Sequence, residues 1–187
     1  MNTEEWTPLT LALANSSPDQ YLIAKLLIDN GANVHSKEVS PILLLLAGEY
    51  DISMKSAYLA NTNKGDSEEE IYNLFLFLIE NGVSLEQFEA AEKLGISYSN
   101  QILYHTVTQG NVLILEYIIE KEQFDFNAKL FKGETALMIA VRNEDRTIIR
   151  YLLSKGADKE IQNDDGETVY DIVEESGSEE MAQLLRL

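Results

Sequence analysis

The sequence predicts an all-α solenoid of about five stacked helix-turn-helix units, with short hairpin connections and an insert in the second unit. Three observations lead there. Gly133-Glu134-Thr135 returns as Gly166-Glu167-Thr168, an offset of 33 residues, within the range of stacked-repeat periods. Between the copies lie two short apolar helical stretches, Ala136 to Val141 and Ile148 to Leu153, and a Gly-Ala-Asp turn at 156–158. Upstream, Ser99 to Ile119 aligns without a gap on Gly133 to Leu153, pairing Leu103 with Leu137 and Ile118 with Leu152. A single domain over 1–187 is expected, with units at 3–37, 38–85, 86–129 and 130–162 and a C-terminal cap at 163–187.

Thr7 is placed to cap the first helix, with Pro8 at its first position, where a missing N–H is no loss. Tyr21 to Asp29 follows as the second helix, with Leu22, Ile23, Leu26 and Leu27 forming an apolar face, and Gly31 suits the left-handed turn that ends it. Ser40 and Pro41 repeat the cap-then-proline logic, and Ile71 to Glu80 with Asn81-Gly82 closes the second unit. From Ser40 to Gly82 is 42 residues, against 21 from Thr135 to Gly156, so an insert of 21 residues is expected, roughly Gly48 to Glu69. It carries Tyr50, Ile52, Met54, Tyr58 and Leu59 and is expected to fold back on the array, with Asp66 or Ser67 capping the next helix and Glu68, Glu69 and Glu70 in its first turn.

The third unit diverges, with Gln101 in the place of Thr135 and His105 at a usually apolar position. Leu85 to Leu94 ahead of it is helix-prone, and an extra helical turn is expected there. The fourth unit is the most regular. In the last, Met181, Leu184 and Leu185 are expected inward and Glu179, Glu180, Gln183 and Arg186 outward, because an end unit needs one wetted face.

At Thr7-Pro8-Leu9-Thr10-Leu11-Ala12, at Gly133-Glu134-Thr135-Ala136-Leu137 and at Gly156-Ala157-Asp158 the chain resembles the ankyrin repeat. That family's pattern runs Gly-x-Thr-Pro-Leu-His-x-Ala, then Leu-Leu, then Gly-Ala-Asp or Gly-Ala-Asn. The resemblance implies protein binding through a concave face made of hairpin tips and the exposed side of each first helix. Carried over position by position, that face would hold Trp6, Tyr98, Asn100, Thr108, Gln109, Phe131, Lys132, Glu134, Arg142, Asn143, Asp164, Asp165 and Glu167. Trp6 can equally cover the exposed end of the first helix pair.

Charge narrows the partner. Thirty-two Asp and Glu stand against 14 Lys and Arg, a formal net charge of -18, a field that repels nucleic acid and anionic membrane and speeds encounter with basic proteins. Seven of the basic residues fall between Lys129 and Lys159, whereas Glu160 to Glu180 holds nine acids and no base. Solvated capping accounts for Glu179 and Glu180 better than for the hairpin acids Asp164, Asp165 and Glu167. There is no cysteine, so neither a disulfide nor a thiolate metal site is possible. No signal-peptide pattern opens the chain, and the apolar runs Pro41 to Ala47 and Ile71 to Ile79 fall short of the roughly 20 residues a bilayer requires. A cytoplasmic location is expected.

Catalytic material is sparse. His35 reads as a turn residue and His105 as a packed core histidine, no Ser sits in a nucleophile motif, and Asp164-Asp165-Gly166 lacks the alternating ligand series of a calcium loop. The expectation is a monomeric, non-catalytic binding protein without metal or cofactor, whose partner is a protein with a basic surface. A compact, acidic, cysteine-free chain of this kind is also similar to immunity proteins that neutralise basic toxins such as nucleases. The alternative is an assembly scaffold or self-associating adaptor.

Overall fold

Where an apolar stretch opens at a side-chain acceptor, as at Thr135 and Asp145, it becomes a helix of two or three turns, Ala136–Arg142 and Arg146–Ser154. The computed structural model describes residues 7–14, 19–34, 40–47, 68–85 and 97–186. Among these it is all-helical, without strands: α1 (Pro8–Ala14), α2 (Gln20–Asp29), α3 (Pro41–Ala47), α4 (Glu68–Glu80), α5 (Tyr98–Gln109), α6 (Val112–Glu120), α7 (Ala136–Arg142), α8 (Arg146–Ser154), α9 (Val169–Ser176) and α10 (Glu179–Leu185). The chain divides into two compact units, 1–105 and 106–187. Trp6, His35, the segment 48–67 and the helix-prone 86–94 lie outside the described residues.

In the first unit α1 packs against α2 and α3, and α4 against α2 and α3. Thr7 caps α1 reciprocally with Thr10: Thr10 N–H donates to Thr7 Oγ1 at 3.1 Å and Thr7 N–H to Thr10 Oγ1 at 2.8 Å. Leu9, Leu13, Ile42 to Leu46, Leu74, Phe75 and Leu78 form the core. Ser40 caps α3, accepting the Leu43 N–H at 3.1 Å. Helix α4 begins at Glu68, inside the expected insert, and carries Glu68, Glu69 and Glu70 in its first turn. One expectation fails: α2 buries Gln20 and Ala24, and Leu22, Ile23 and Leu26 face solvent. Gln20 is held by its Nε2 donating to Leu13 O at 2.7 Å, which rotates the helix's small and polar stripe inward.

In the second unit α7 packs against α8 and α9, and α10 against α9 and α8. Ile114, Ile118, Leu137 to Val141, Ile148, Ile149, Leu152, Ile172, Met181, Leu184 and Leu185 are buried. The gapless alignment is confirmed at the second helices: α6 and α8 start 34 residues apart, and each is capped by the equivalent residue. Asn111 Oδ1 accepts the Ile114 N–H at 2.9 Å, and Asp145 Oδ1 accepts from Thr147 and Ile148, both at 3.0 Å. At the first helices the alignment breaks. Helix α5 starts at Tyr98, about one turn before the counterpart of Ala136, because Gln101 is no short-chain cap and its N–H instead donates back to Ser97 O at 3.1 Å. The final helix meets its expectation, with Met181, Leu184 and Leu185 buried and Glu179, Glu180, Gln183 and Arg186 exposed.

Candidate functional site

The two hairpin tips of the second unit are built alike. In the first, Leu130 N–H donates to Glu134 O at 2.8 Å and Gly133 N–H to Leu130 O at 3.1 Å, while Lys132 and Gly133 take left-handed φ values of 56° and 70°. In the next, Asn163 N–H donates to Glu167 O at 2.9 Å and Gly166 N–H to Asn163 O at 3.1 Å. This tip has its own brace, which sequence reading missed. Buried Asn163 accepts from the N–H of Asp165 at 3.0 Å and of Glu167 at 2.9 Å through Oδ1, and donates through Nδ2 to Glu167 Oε2 at 2.8 Å. Asn ahead of an Asp-Asp-Gly turn, with Glu four residues on, is the signal that marks such a side-chain turn.

The tips are joined to each other. Asp164 N–H donates to Lys132 O at 3.0 Å. From the end of α7, Arg142 reaches back to both tips: its Nε donates to Glu134 Oε1 at 2.6 Å and its NH2 group to Glu167 Oε2 at 2.9 Å. Partial burial works against the guanidinium charge, but the hydrogen bonds and charges of Glu134 and Glu167 outweigh it and raise its pKa. Three of the expected contact residues, Glu134, Arg142 and Glu167, are thus spent on one another. What the braced tips expose is Phe131, Lys132, Asp164 and Asp165, with Lys132 Nζ 5.7 Å from the Phe131 ring centroid.

The remaining expected residues scatter. Asn143 is exposed and closes α7, its N–H donating to Ile139 O. Thr108, Gln109 and Asn100 are half-buried. Tyr98 is a correction: it is 5% exposed, and its hydroxyl hydrogen-bonds the Ser40 hydroxyl, so it belongs to the core of the first unit. The ring fits there because α5 begins a turn early, which moves residue 98 from a hairpin onto a helix.

His105 is not at the tips; it lies in α5 edge-on to the Tyr104 ring, and burial pushes its imidazole down to about 4. Among the described residues no group of three or more His, Asp or Glu is placed to hold a metal ion, and no helix is long and apolar enough to cross a membrane.

Comparison with known proteins agrees with the geometry. The family description "Ankyrin repeats (3 copies)" matches residues 66–163 and 102–186, and "Ankyrin repeat" matches residues 4–38. The chain is also similar to an ankyrin repeat protein of Rickettsia bellii (strain RML369-C), at 34% identity over 98 residues, which are 50% of this chain and 26% of that protein. With matched capping, matched tips and family matches over most of its length, this chain belongs to the ankyrin repeat family, whose repeats are protein–protein interaction modules.

Proposed function

We propose that this chain is a non-catalytic binding module of the cytoplasm that holds a partner protein against the hairpin tips at 130–134 and 163–167, and that the partner contributes a basic surface. The observation that carries this reading is the locking of two consecutive tips by Arg142, which leaves Phe131, Lys132 and Asp165 displayed on backbone that need not be ordered when a partner arrives. Phe131 offers apolar contact area and Asp164 and Asp165 offer exposed negative charge. The net charge of -18 steers a basic protein toward the chain and turns nucleic acid and anionic membrane away.

The test is affinity capture from the native cell, with Phe131→Ala and Asp165→Lys variants alongside. Loss of the captured protein by both variants, at unchanged unfolding midpoints, is the expected result; capture indifferent to both removes the tips from the interface. A narrower reading, an immunity protein neutralising a basic toxin such as a nuclease, is supported by the net charge alone. Recovery of only acidic or neutral partners removes it. The alternative, a scaffold or self-associating adaptor, is favoured by one observation, the exposed leucines of α2.

A further inference from the structure

Two of the chain's asparagines are followed by glycine, Asn30-Gly31 and Asn81-Gly82. Both pairs are exposed and both end a helix, α2 in one case and α4 in the other. Their backbones turn alike. Gly31 N–H donates to Ile28 O and Ala32 N–H to Leu27 O, both at 2.9 Å, while Gly82 N–H donates to Ile79 O at 2.9 Å and Val83 N–H to Leu78 O at 3.1 Å. The same turn recurs at Lys155-Gly156, where Gly156 N–H donates to Leu153 O and Ala157 N–H to Leu152 O, both at 3.0 Å. Asparagine is therefore not needed to make the turn. What it adds is a second donor: Asn30 Nδ2 reaches Leu26 O and Asn81 Nδ2 reaches Phe77 O, both at 2.8 Å. Each of those carbonyls also accepts the backbone N–H of the same asparagine, at 3.2 Å and 3.1 Å.

An asparagine followed by glycine is open to attack by its own backbone, because no Cβ shields the nitrogen that follows it. We infer that Asn30 and Asn81 are sites of spontaneous deamidation, that the closed turn holds the reaction back, and that the reaction, once it occurs, unlatches the turn. In the closed turn the attacking N–H is bound to Ile28 O or Ile79 O, and the side-chain amide is held by Leu26 O or Phe77 O. When the helix end frays, the deprotonated glycine nitrogen attacks the asparagine Cγ. The N–Cγ bond forms, the Cγ–Nδ2 bond breaks, and ammonia leaves with the proton. Water then opens the cyclic imide at either carbonyl, giving aspartate or its β-linked isomer, with one carboxylate gained and one ammonium released at each site.

The product does not close the turn as before. A carboxylate has no proton to donate to Leu26 O or Phe77 O. It also adds negative charge at a helix end whose carbonyls already carry it, next in sequence to Asp29 or Glu80. At Asn81 the effect reaches α2, because Phe77, whose carbonyl the asparagine holds, meets the Tyr21 ring edge-on at 6.2 Å and Lys25 Nζ at 4.9 Å. No residue of the hairpin tips takes part, so the inference stands or falls apart from the binding reading.

Site-resolved mass spectrometry of the full chain, held in mildly alkaline buffer with and without denaturant, tests the site and its protection. Asn30 and Asn81 should convert ahead of Asn111, Asn127, Asn143 and Asn163, which precede Val, Ala, Glu and Asp. Both should convert about tenfold or more slowly in the folded chain. Hydrogen exchange tests the unlatching: Asn30→Asp should speed exchange of the Ala32 amide about tenfold, and Asn81→Asp that of the Val83 amide. Asn30→Ala and Asn81→Ala, which lose the donor without gaining the charge, should speed it less. Equal conversion in the folded and unfolded chains overturns the inference, as does earlier conversion of the other four asparagines, or aspartate variants that exchange like the parent. Far-UV circular dichroism shows that the variants are folded, and the conversion rates of the parent need no variant at all.

Discussion

Asp164 lies where a side chain on Gly133 would be. A Cβ added to Gly133 would sit 2.3 Å from Asp164 Oδ1 and 2.8 Å from its backbone nitrogen, and that nitrogen donates to the carbonyl of the neighbouring Lys132. The glycine is needed twice over, for its φ of 70° and for the close approach of the next tip. Gly166, one repeat later, has a φ of 81° but nothing within 4 Å of its added Cβ.

The pair separates the two requirements. Gly166→Ala should cost only the left-handed backbone penalty, about 1 kcal/mol. Gly133→Ala should cost that and the displacement of the Asp164 backbone, about 2 to 3 kcal/mol in all. Urea unfolding of both variants checks this, and equal costs would show that the contact between tips is not rigid.

Arg142 carries the other link between the tips. Its two ion pairs are partly exposed, so Arg142→Ala should cost about 1 kcal/mol in 0.1 M salt and less in 1 M. Arg142→Lys should recover less than half of the loss, since one ammonium cannot reproduce a forked guanidinium spanning two carboxylates. The measurement is the unfolding midpoint of each variant at the two salt concentrations. Full recovery by lysine would mean that net charge, and not the bridge, is what matters.

Glu144 holds a φ of 54° at the position equivalent to Gly110, whose φ is 76°. The same turn is thus made once by the residue that adopts it without strain and once by one that does not. Glu144→Gly should stabilise the chain by about 0.5 to 1 kcal/mol, the relief of the left-handed strain less the extra entropy of glycine in the unfolded state. A thermal midpoint unchanged or lowered would show that the Glu144 side chain makes a compensating contact.

What could be read in the sequence was local. The caps Thr7 and Ser40 bond to amides three residues on, so residue type and short spacing sufficed to find them; Asn111 and Asp145, which cap in the same way, were not singled out. Tyr98 was misplaced because its partner, Ser40, is 58 residues away and because an early start to α5 changed what residue 98 is part of. The bridge at Arg142 was not legible, since nothing in its own neighbourhood shows that Glu134 and Glu167, 8 and 25 residues away, converge on it. The outward face of α2 escaped for a related reason. Periodicity places Leu22, Ile23 and Leu26 on one face, but only a neighbouring helix decides whether a face is covered.

His105 makes stability depend on pH in a direction that can be worked out. Burial lowers its pKa from 6.5 to about 4. Above pH 6.5 the imidazole is neutral in both states and contributes nothing to the pH dependence. As pH falls through 6.5 the unfolded chain takes up a proton that the folded chain refuses until about pH 4, so stability is lost across that window and the loss is complete below it. Between pH 7 and pH 5 the expected loss is about 2 kcal/mol. Carboxylate titration and relief of acidic self-repulsion also change with pH, but they are common to a His105→Gln variant and cancel in the comparison. Chemical unfolding of both proteins at pH 7 and pH 5 should show the parent losing about 2 kcal/mol more than the variant. Parallel pH profiles would mean that the imidazole takes its proton in the folded state, and that α5 opens to water at that turn.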